Sequence, residues 1–197
     1  MIRTKIKILA VLFLLSACSA DKPQVEPPVV PEDPEVPEKV EDVIHFTLVG
    51  VGYELPVSFE TLINDGWTAV DNVDGTLEPH KYISDVYMRK GTNLISVSLH
   101  NNTDTEQEKL DSLVAAISAE NRTSVNGQDQ PVDIQLKDSI DFSSSEDEIN
   151  SILGEPVAEE NEVFRTLTYQ HNKVMKTEIK YHKSSGNMRW ITIQNFK

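Results

Sequence analysis

The segment Glu106-Gln107-Glu108-Lys109-Leu110-Asp111-Ser112-Leu113-Val114-Ala115-Ala116-Ile117-Ser118-Ala119-Glu120 decides the fold, because it reads two ways. Leu110, Leu113, Val114 and Ile117 fall at helical spacing, and Ala115, Ala116 and Ala119 favour a helix. Taken from Leu113 to Ser118, the same run is a short apolar stretch of the kind that fills a buried strand. The segments on either side choose the strand.

Upstream, Ile44, Phe46 and Leu48 alternate with His45, Thr47 and Val49, which predicts a half-buried strand ending at Gly50. A helix is expected next, with Ser58 as N-cap, Val57 and Leu62 placed for a hydrophobic staple, and Asp65-Gly66 as its end. Trp67 then re-enters the core, and Asp71 to His80 is a polar loop. Two strands follow, about Tyr82 to Arg89 and Asn93 to His100, around a turn in which Gly91 supplies the positive φ of a short hairpin. Asn101 to Glu106 is polar. Downstream of 106–120 the pattern restarts after a loop over Asn121 to Pro131. Val132, Ile134 and Leu136 alternate as a strand, and Ser145 with Glu148 fits a capping box. Ile149, Ile152 and Leu153 stripe a helix that Gly154 and Pro156 end. Strands then run about Phe164 to Gln170, Val174 to His182 and Met188 to Gln194.

Both halves therefore share one order: strand, capped helix closed by glycine, three strands. In the first half the third of those strands exists only if Leu113 to Ser118 is extended. The expected fold is α+β, with two similar lobes over 43–120 and 121–197. Each lobe is one helix packed on a four-stranded antiparallel sheet, and the lobes meet through apolar faces.

The first 42 residues cannot belong to either lobe. Arg3, Lys5 and Lys7 precede the apolar run Ile8 to Leu15, which is shorter than the roughly 20 residues that span a bilayer. Residues 1–17 read as a signal peptide. Its end, Leu15-Ser16-Ala17-Cys18, resembles the lipobox of bacterial lipoproteins, where an aliphatic and two small residues precede a cysteine. That resemblance implies a diacylglyceryl group on Cys18 through a thioether, acyl chains of the palmitate kind, and cleavage between Ala17 and Cys18. Cys18 is the one cysteine of the chain, so it has no partner for an internal disulfide. Two acyl chains, each burying about 0.8 kcal/mol per methylene, hold a protein on a membrane stably. Ordinary secretion, with cleavage after Ala20, is the alternative. Ser19 after the modified cysteine is compatible with sorting to an outer membrane in a two-membrane bacterium.

Residues 18–42 form the expected tether. Ser19 to Asp42 holds six of the ten prolines, eight carboxylates, two lysines and no aromatic residue. Such a segment stays extended and solvated, and at ~3.1 Å per residue it reaches roughly 75 Å. Without the signal the chain has 15 Lys+Arg against 32 Asp+Glu, a net charge of −17. That charge argues against nucleic acid as a partner and against adhesion to anionic lipid by surface charge.

The folded part resembles small exported bacterial lipoproteins of unassigned function through Tyr53-Glu54-Leu55-Pro56, Gly66-Trp67 and Gly154-Glu155-Pro156. The tandem plan also resembles the β-lactamase-inhibitor-protein fold and the small lipoprotein of outer-membrane assembly. The resemblance to these last two implies a protein that acts by binding other proteins.

No catalytic or metal pattern stands out. Setting Gly75 at the invariant sixth place of a calcium loop puts Val70 first and Lys81 twelfth, where carboxylates are required. His45, His80, His100, His171 and His182 lack ligand spacing. Ser143-Ser144-Ser145 is explained by helix capping. No cofactor is called for. The favoured role is a non-enzymatic protein- or envelope-binding module on the extracytoplasmic face of the cell membrane. The alternatives are an envelope hydrolase using paired carboxylates, and a structural or stress lipoprotein without a dedicated ligand.

Overall fold

The computed structural model describes residues 43–122 and 131–197. The residues read as signal, lipobox and tether, with Leu15, Ser16, Ala17 and Cys18, lie outside the described residues. Fourteen strands and two helices follow in order: β1 (Ile44–Leu48), β2 (Val51–Leu55), β3 (Val57–Ser58), α1 (Phe59–Asn64), β4 (Thr68–Ala69), β5 (Thr76–Leu77), β6 (Tyr82–Lys90), β7 (Asn93–His100), β8 (Gln107–Glu108), β9 (Leu113–Glu120), β10 (Ile134–Leu136), α2 (Glu146–Leu153), β11 (Val157–Glu160), β12 (Phe164–Gln170), β13 (Met175–His182) and β14 (Met188–Asn195). The architecture is α+β and mostly antiparallel sheet.

The ambiguous segment is strand from Leu113 to Glu120, in the middle of the largest sheet. That sheet runs β11-β12-β13-β14-β9-β7-β6-β4, with β3 paired to the start of β9. Val114 to Ile117 are all buried, as expected of a strand with neighbours on both sides and cover on a face. The two separate sheets expected from the sequence are replaced by one, because β9 pairs with β14 from Ala116↔Gln194 to Glu120↔Trp190. The reason is physical: a three-strand meander leaves its last strand with an unpaired apolar edge. Joining β9 to β14 satisfies the backbone of both edges at once.

Two further differences follow from local chemistry. The opening strand of each half does not join the large sheet; β1 and β10 pair with each other, in the order β10-β1-β2. The outer places are taken by the short strands after the helices, β4 and β11, and β11 is exposed along its whole length. The hairpin β1–β2 turns on Val49 and Gly50, both at positive φ (51° and 73°). Glycine suits that turn and valine does not, so nothing at Val49 announces it. The Val49 N–H is held by the Asp133 carbonyl at 2.8 Å.

The helices form where their caps predict. The Ser58 hydroxyl accepts from the Thr61 N–H, and Gly154 ends α2 at φ 86°. At the start of α2 the capping box is complete: the Glu148 N–H donates to the Ser145 hydroxyl, and the Ser145 N–H donates to the Glu148 carboxylate at 2.8 Å. The Ser145 N–H and hydroxyl hold the Glu148 carboxyl below its usual range, and the Ser143 hydroxyl does the same for Asp141. A depressed carboxyl favours the folded state above its unfolded pKa, and that contribution disappears as pH falls through the folded value. Ser145→Ala is expected to lower stability by about 1 kcal/mol at neutral pH. The loss should begin to shrink as pH falls below the ordinary glutamate range and go on shrinking until pH is below the depressed folded value of Glu148, as followed by denaturant unfolding at a series of pH values.

The core lies on one face of the large sheet. Met88, Ile95, Val97, Leu99, Ile117, Ala119, Leu167, Tyr169, Ile179, Ile191 and Ile193 are buried there with Phe46, Leu48 and Leu55 of the small sheet and Phe59, Leu62 and Ile149 of the helices. Asn195, buried at the end of β14, donates to the Leu55 carbonyl at 2.9 Å and ties the small sheet to the large one. Asn101 is fully buried just past β7. Its amide N–H groups are shared among the carbonyls of Leu77 (2.9 Å), Glu78 (3.2 Å) and Thr105 (2.8 Å), and its oxygen accepts from the Thr103 N–H and hydroxyl.

Candidate functional site

Strand alternation turns every second side chain of the large sheet away from that core. On the outward face lie Thr166 and Thr168 of β12, Lys176, Glu178 and Lys180 of β13, and Trp190, Thr192 and Gln194 of β14. Ala116, Ser118 and Glu120 of β9, Ser96 and Ser98 of β7, and Tyr87 of β6 continue it. Among these side chains only that of Ala116 is buried. Among the described residues, both helices and both small sheets pack on the opposite, core side.

Its most distinctive point is Trp190. Lys180 stands opposite it across the β13–β14 pair, and the register slips by one residue beside them, between Lys180 and Tyr181. The extra residue, Arg189, sends its guanidinium to the Glu120 carboxylate at 2.7 Å and the Asn121 carbonyl at 3.0 Å. Phe164 meets the indole edge to face, with ring centres 5.1 Å apart. The Lys180 ammonium lies 5.4 Å from the Trp190 ring centre and 5.9 Å from that of Phe164, and the Arg189 guanidinium carbon lies 5.3 Å from the indole. Among the described residues, Lys180 has no carboxylate within ion-pair distance, although Lys176 beside it bonds Glu178 at 3.3 Å.

Two hollows share Trp190. A basin of about 360 Å³ has Ser118, Thr166 and Thr192 as floor and Glu159, Glu178 and Lys180 around it. The Ser118 and Thr192 hydroxyls are bonded to each other at 2.9 Å. A larger hollow of about 730 Å³ lies beyond the indole, lined by Phe164, His182, Asn187, Arg189 and Asn121.

A third cleft, about 570 Å³, sits between α2 and the ends of β12 and β13. Arg165 grips Glu146 with two bonds (2.6 and 2.9 Å) and reaches Glu160 at 3.6 Å, and Lys183 bonds Glu160 at 2.9 Å. Lys183 holds the Glu160 carboxyl below its usual range. A general acid needs the opposite shift, so this cluster is built as a clasp between strands and helix. Burial pushes the Tyr181 phenol beside it up to about 12.

The residues considered from sequence are dispersed. In the Asp71 to Gly75 loop the Asn72 side chain accepts from the Asp74 N–H, and the Lys109 ammonium occupies the Asp74 carbonyl at 2.9 Å. His45 faces Glu54 at 3.4 Å, His80 bonds Asp104 at 3.0 Å and His171 bonds Thr177 at 2.9 Å. Burial lowers the pKa of His100 and His171. Among the described residues no group of three or more His, Cys, Asp or Glu is placed to hold a metal ion. Ser145 caps α2, Ser144 bonds the Asp141 N–H, and Ser143 bonds the Asp141 carboxylate. Sequence reasoning missed the Trp190 platform. The signal was present as the alternation Lys176-x-Glu178-x-Lys180 against Trp190-x-Thr192-x-Gln194, but it takes a register to set them side by side.

Compared with protein-family models, curated proteins and solved structures, the chain matches none.

Proposed function

We propose that this chain is a lipoprotein, anchored through a diacylglyceryl group on Cys18 to the extracytoplasmic face of the cell membrane, whose domain binds an envelope component or protein without catalysing a reaction. In this reading residues 1–17 are the signal peptide and 18–42 carry the domain away from the lipid on an acidic leash. Residues 43–120 and 121–197 are two related halves. Support for the duplication comes from strand order, which reads the same outward from the β9–β14 seam: three long strands, then one short strand that follows a helix. The observation that carries the binding role is the uncovered sheet face, on which aromatic, cationic and hydroxyl side chains gather at Trp190.

The hydrolase alternative has one place to stand, since Glu159 and Glu178 line the same basin. Inert binding is favoured because Glu178 is already engaged by Lys176 and by the Gln194 amide at 3.2 Å. The test is capture from crosslinked envelopes, comparing the full chain with one that ends at residue 42. The full chain is expected to retain a component that the shorter chain does not. Cys18→Ala is expected to move the protein from the membrane to the soluble fraction. Equal capture by both chains, or unchanged fractionation of the variant, would contradict the proposal.

A further inference from the structure

The chemistry of the open face narrows what it binds. Each long strand of the large sheet has a neighbour on both sides, and beside the Trp190 region β11 pairs β12 from Arg165 to Thr168, so free backbone for an added peptide strand lies at the sheet's outer edges and not on this face. Its aromatic side chains gather at the two ends, Tyr82, Phe196 and His100 at one and Trp190 with Phe164 at the other, and small polar side chains lie between them. From Trp190 across to Tyr87 the floor carries Thr192, Gln194, Ser118, Ala116, Ser96 and Ser98, and Thr166 and Thr168 extend it on β12. Short hydroxyls that both donate and accept, in shallow hollows beside an exposed indole edge, match a ligand that is itself a row of hydroxyls on flat rings. Seven inter-strand gaps at ~4.8 Å make the face roughly 34 Å wide, room for several sugar rings.

Charge supplies the second constraint. Residues 43–197 carry 13 Lys+Arg against 24 Asp+Glu, a net −11. The open face departs from that sign: Arg89, Lys176, Lys180 and Arg189 stand against Glu120, Glu159 and Glu178. Lys180 is the cation there that rests on rings and not on a carboxylate. A cation on an aromatic face is held weakly, and its four-carbon stem lets it swing. A ligand carboxylate gives the ammonium a stronger partner, and its departure from the ring opens the indole to stacking.

We infer that the open face around Trp190 and Lys180 binds an acidic glycan, a linear saccharide bearing carboxylates. One ring stacks on Trp190, its carboxylate pairs with Lys180, and its hydroxyls are taken up by Ser118, Thr166, Thr192, Glu159 and Glu178. This rests on the binding-module reading above and gives it a ligand class.

The two tryptophans make the test direct, because Trp67 is fully buried and Trp190 is on the open face. The full-length protein in detergent is titrated with oligogalacturonate while tryptophan emission is followed, and heat is measured in parallel by calorimetry. A saturable change in emission is expected. Uncharged cello-oligosaccharide and poly-glutamate of equal charge should each bind at least about tenfold more weakly. Lys180→Gln should weaken oligogalacturonate about tenfold with an unchanged unfolding midpoint. Trp190→Phe should remove the emission change and weaken the calorimetric affinity. No response to oligogalacturonate, equal binding of poly-glutamate, or an unchanged affinity in Lys180→Gln would overturn the inference. If envelope capture succeeds while the glycan titration fails, the binding role stands and the ligand class falls.

Discussion

Trp67→Ala is expected to destabilise the folded domain by about 4 kcal/mol. Trp67 follows α1 by two residues and is completely buried, and its backbone N–H donates to the Leu62 carbonyl at 3.0 Å, which fixes where the indole enters the core. It shares the core with Leu62, Phe59, Met88 and Tyr53. Removing an indole from such a site loses its transfer energy and leaves a cavity that the surrounding strands are too well paired to close. A protein of this size has about 5–15 kcal/mol in all, so the variant sits near the limit of folding. Trp190→Ala provides the contrast. That ring is only partly buried and its contacts are one aromatic edge and two cations, so its loss should cost about 1 kcal/mol. Denaturant midpoints of the two variants measure the difference, and similar midpoints would contradict the packing described.

Asn101→Leu is expected to cost about 3 kcal/mol, although leucine has the same branched skeleton and is more apolar. The Asn101 amide serves carbonyls of two loops, Leu77 and Glu78 on one side and Thr105 on the other. Leucine would leave those carbonyls without their donor in a site closed to water, and the Thr103 N–H and hydroxyl would lose their acceptor. The loops around β5 and β8 should loosen together, which faster amide exchange at residues 76–81 and 103–108 would reveal. Protection equal to that of the unaltered protein would show that the amide is replaceable.

Much of the fold is legible in the residues themselves. The period-two alternation of Phe164 to Gln170 and Met188 to Gln194, and the caps at Ser58 and Ser145, are local signals, and each marks its element to within a residue or two. The strand at Leu113 to Glu120 is legible only by comparing halves, since its own composition also suits a helix. What escapes are features set by pairing. Thr68–Ala69 has too few residues to alternate, Val157–Glu160 is exposed throughout, and the β1–β2 turn is masked by a valine in a glycine conformation. The β9–β14 seam escapes for the same reason, because edge complementarity between residues 70 or more positions apart leaves no local mark. The site behaves alike. Trp190, Lys180 and Phe164 belong to three strands and become a platform only when a register brings them together.

The claim on which the functional account turns is that the uncovered face, not the helix side, meets the envelope. A photo-activated crosslinking residue placed at Thr192 or Thr166, and for comparison at Glu60 of α1 or Asp147 of α2, tests it in intact cells. The account predicts adducts from Thr192 and Thr166 that vanish when the protein also carries Cys18→Ala, and none above background from the two helix positions. Adducts of equal yield from both sides, or from the helices alone, would contradict it.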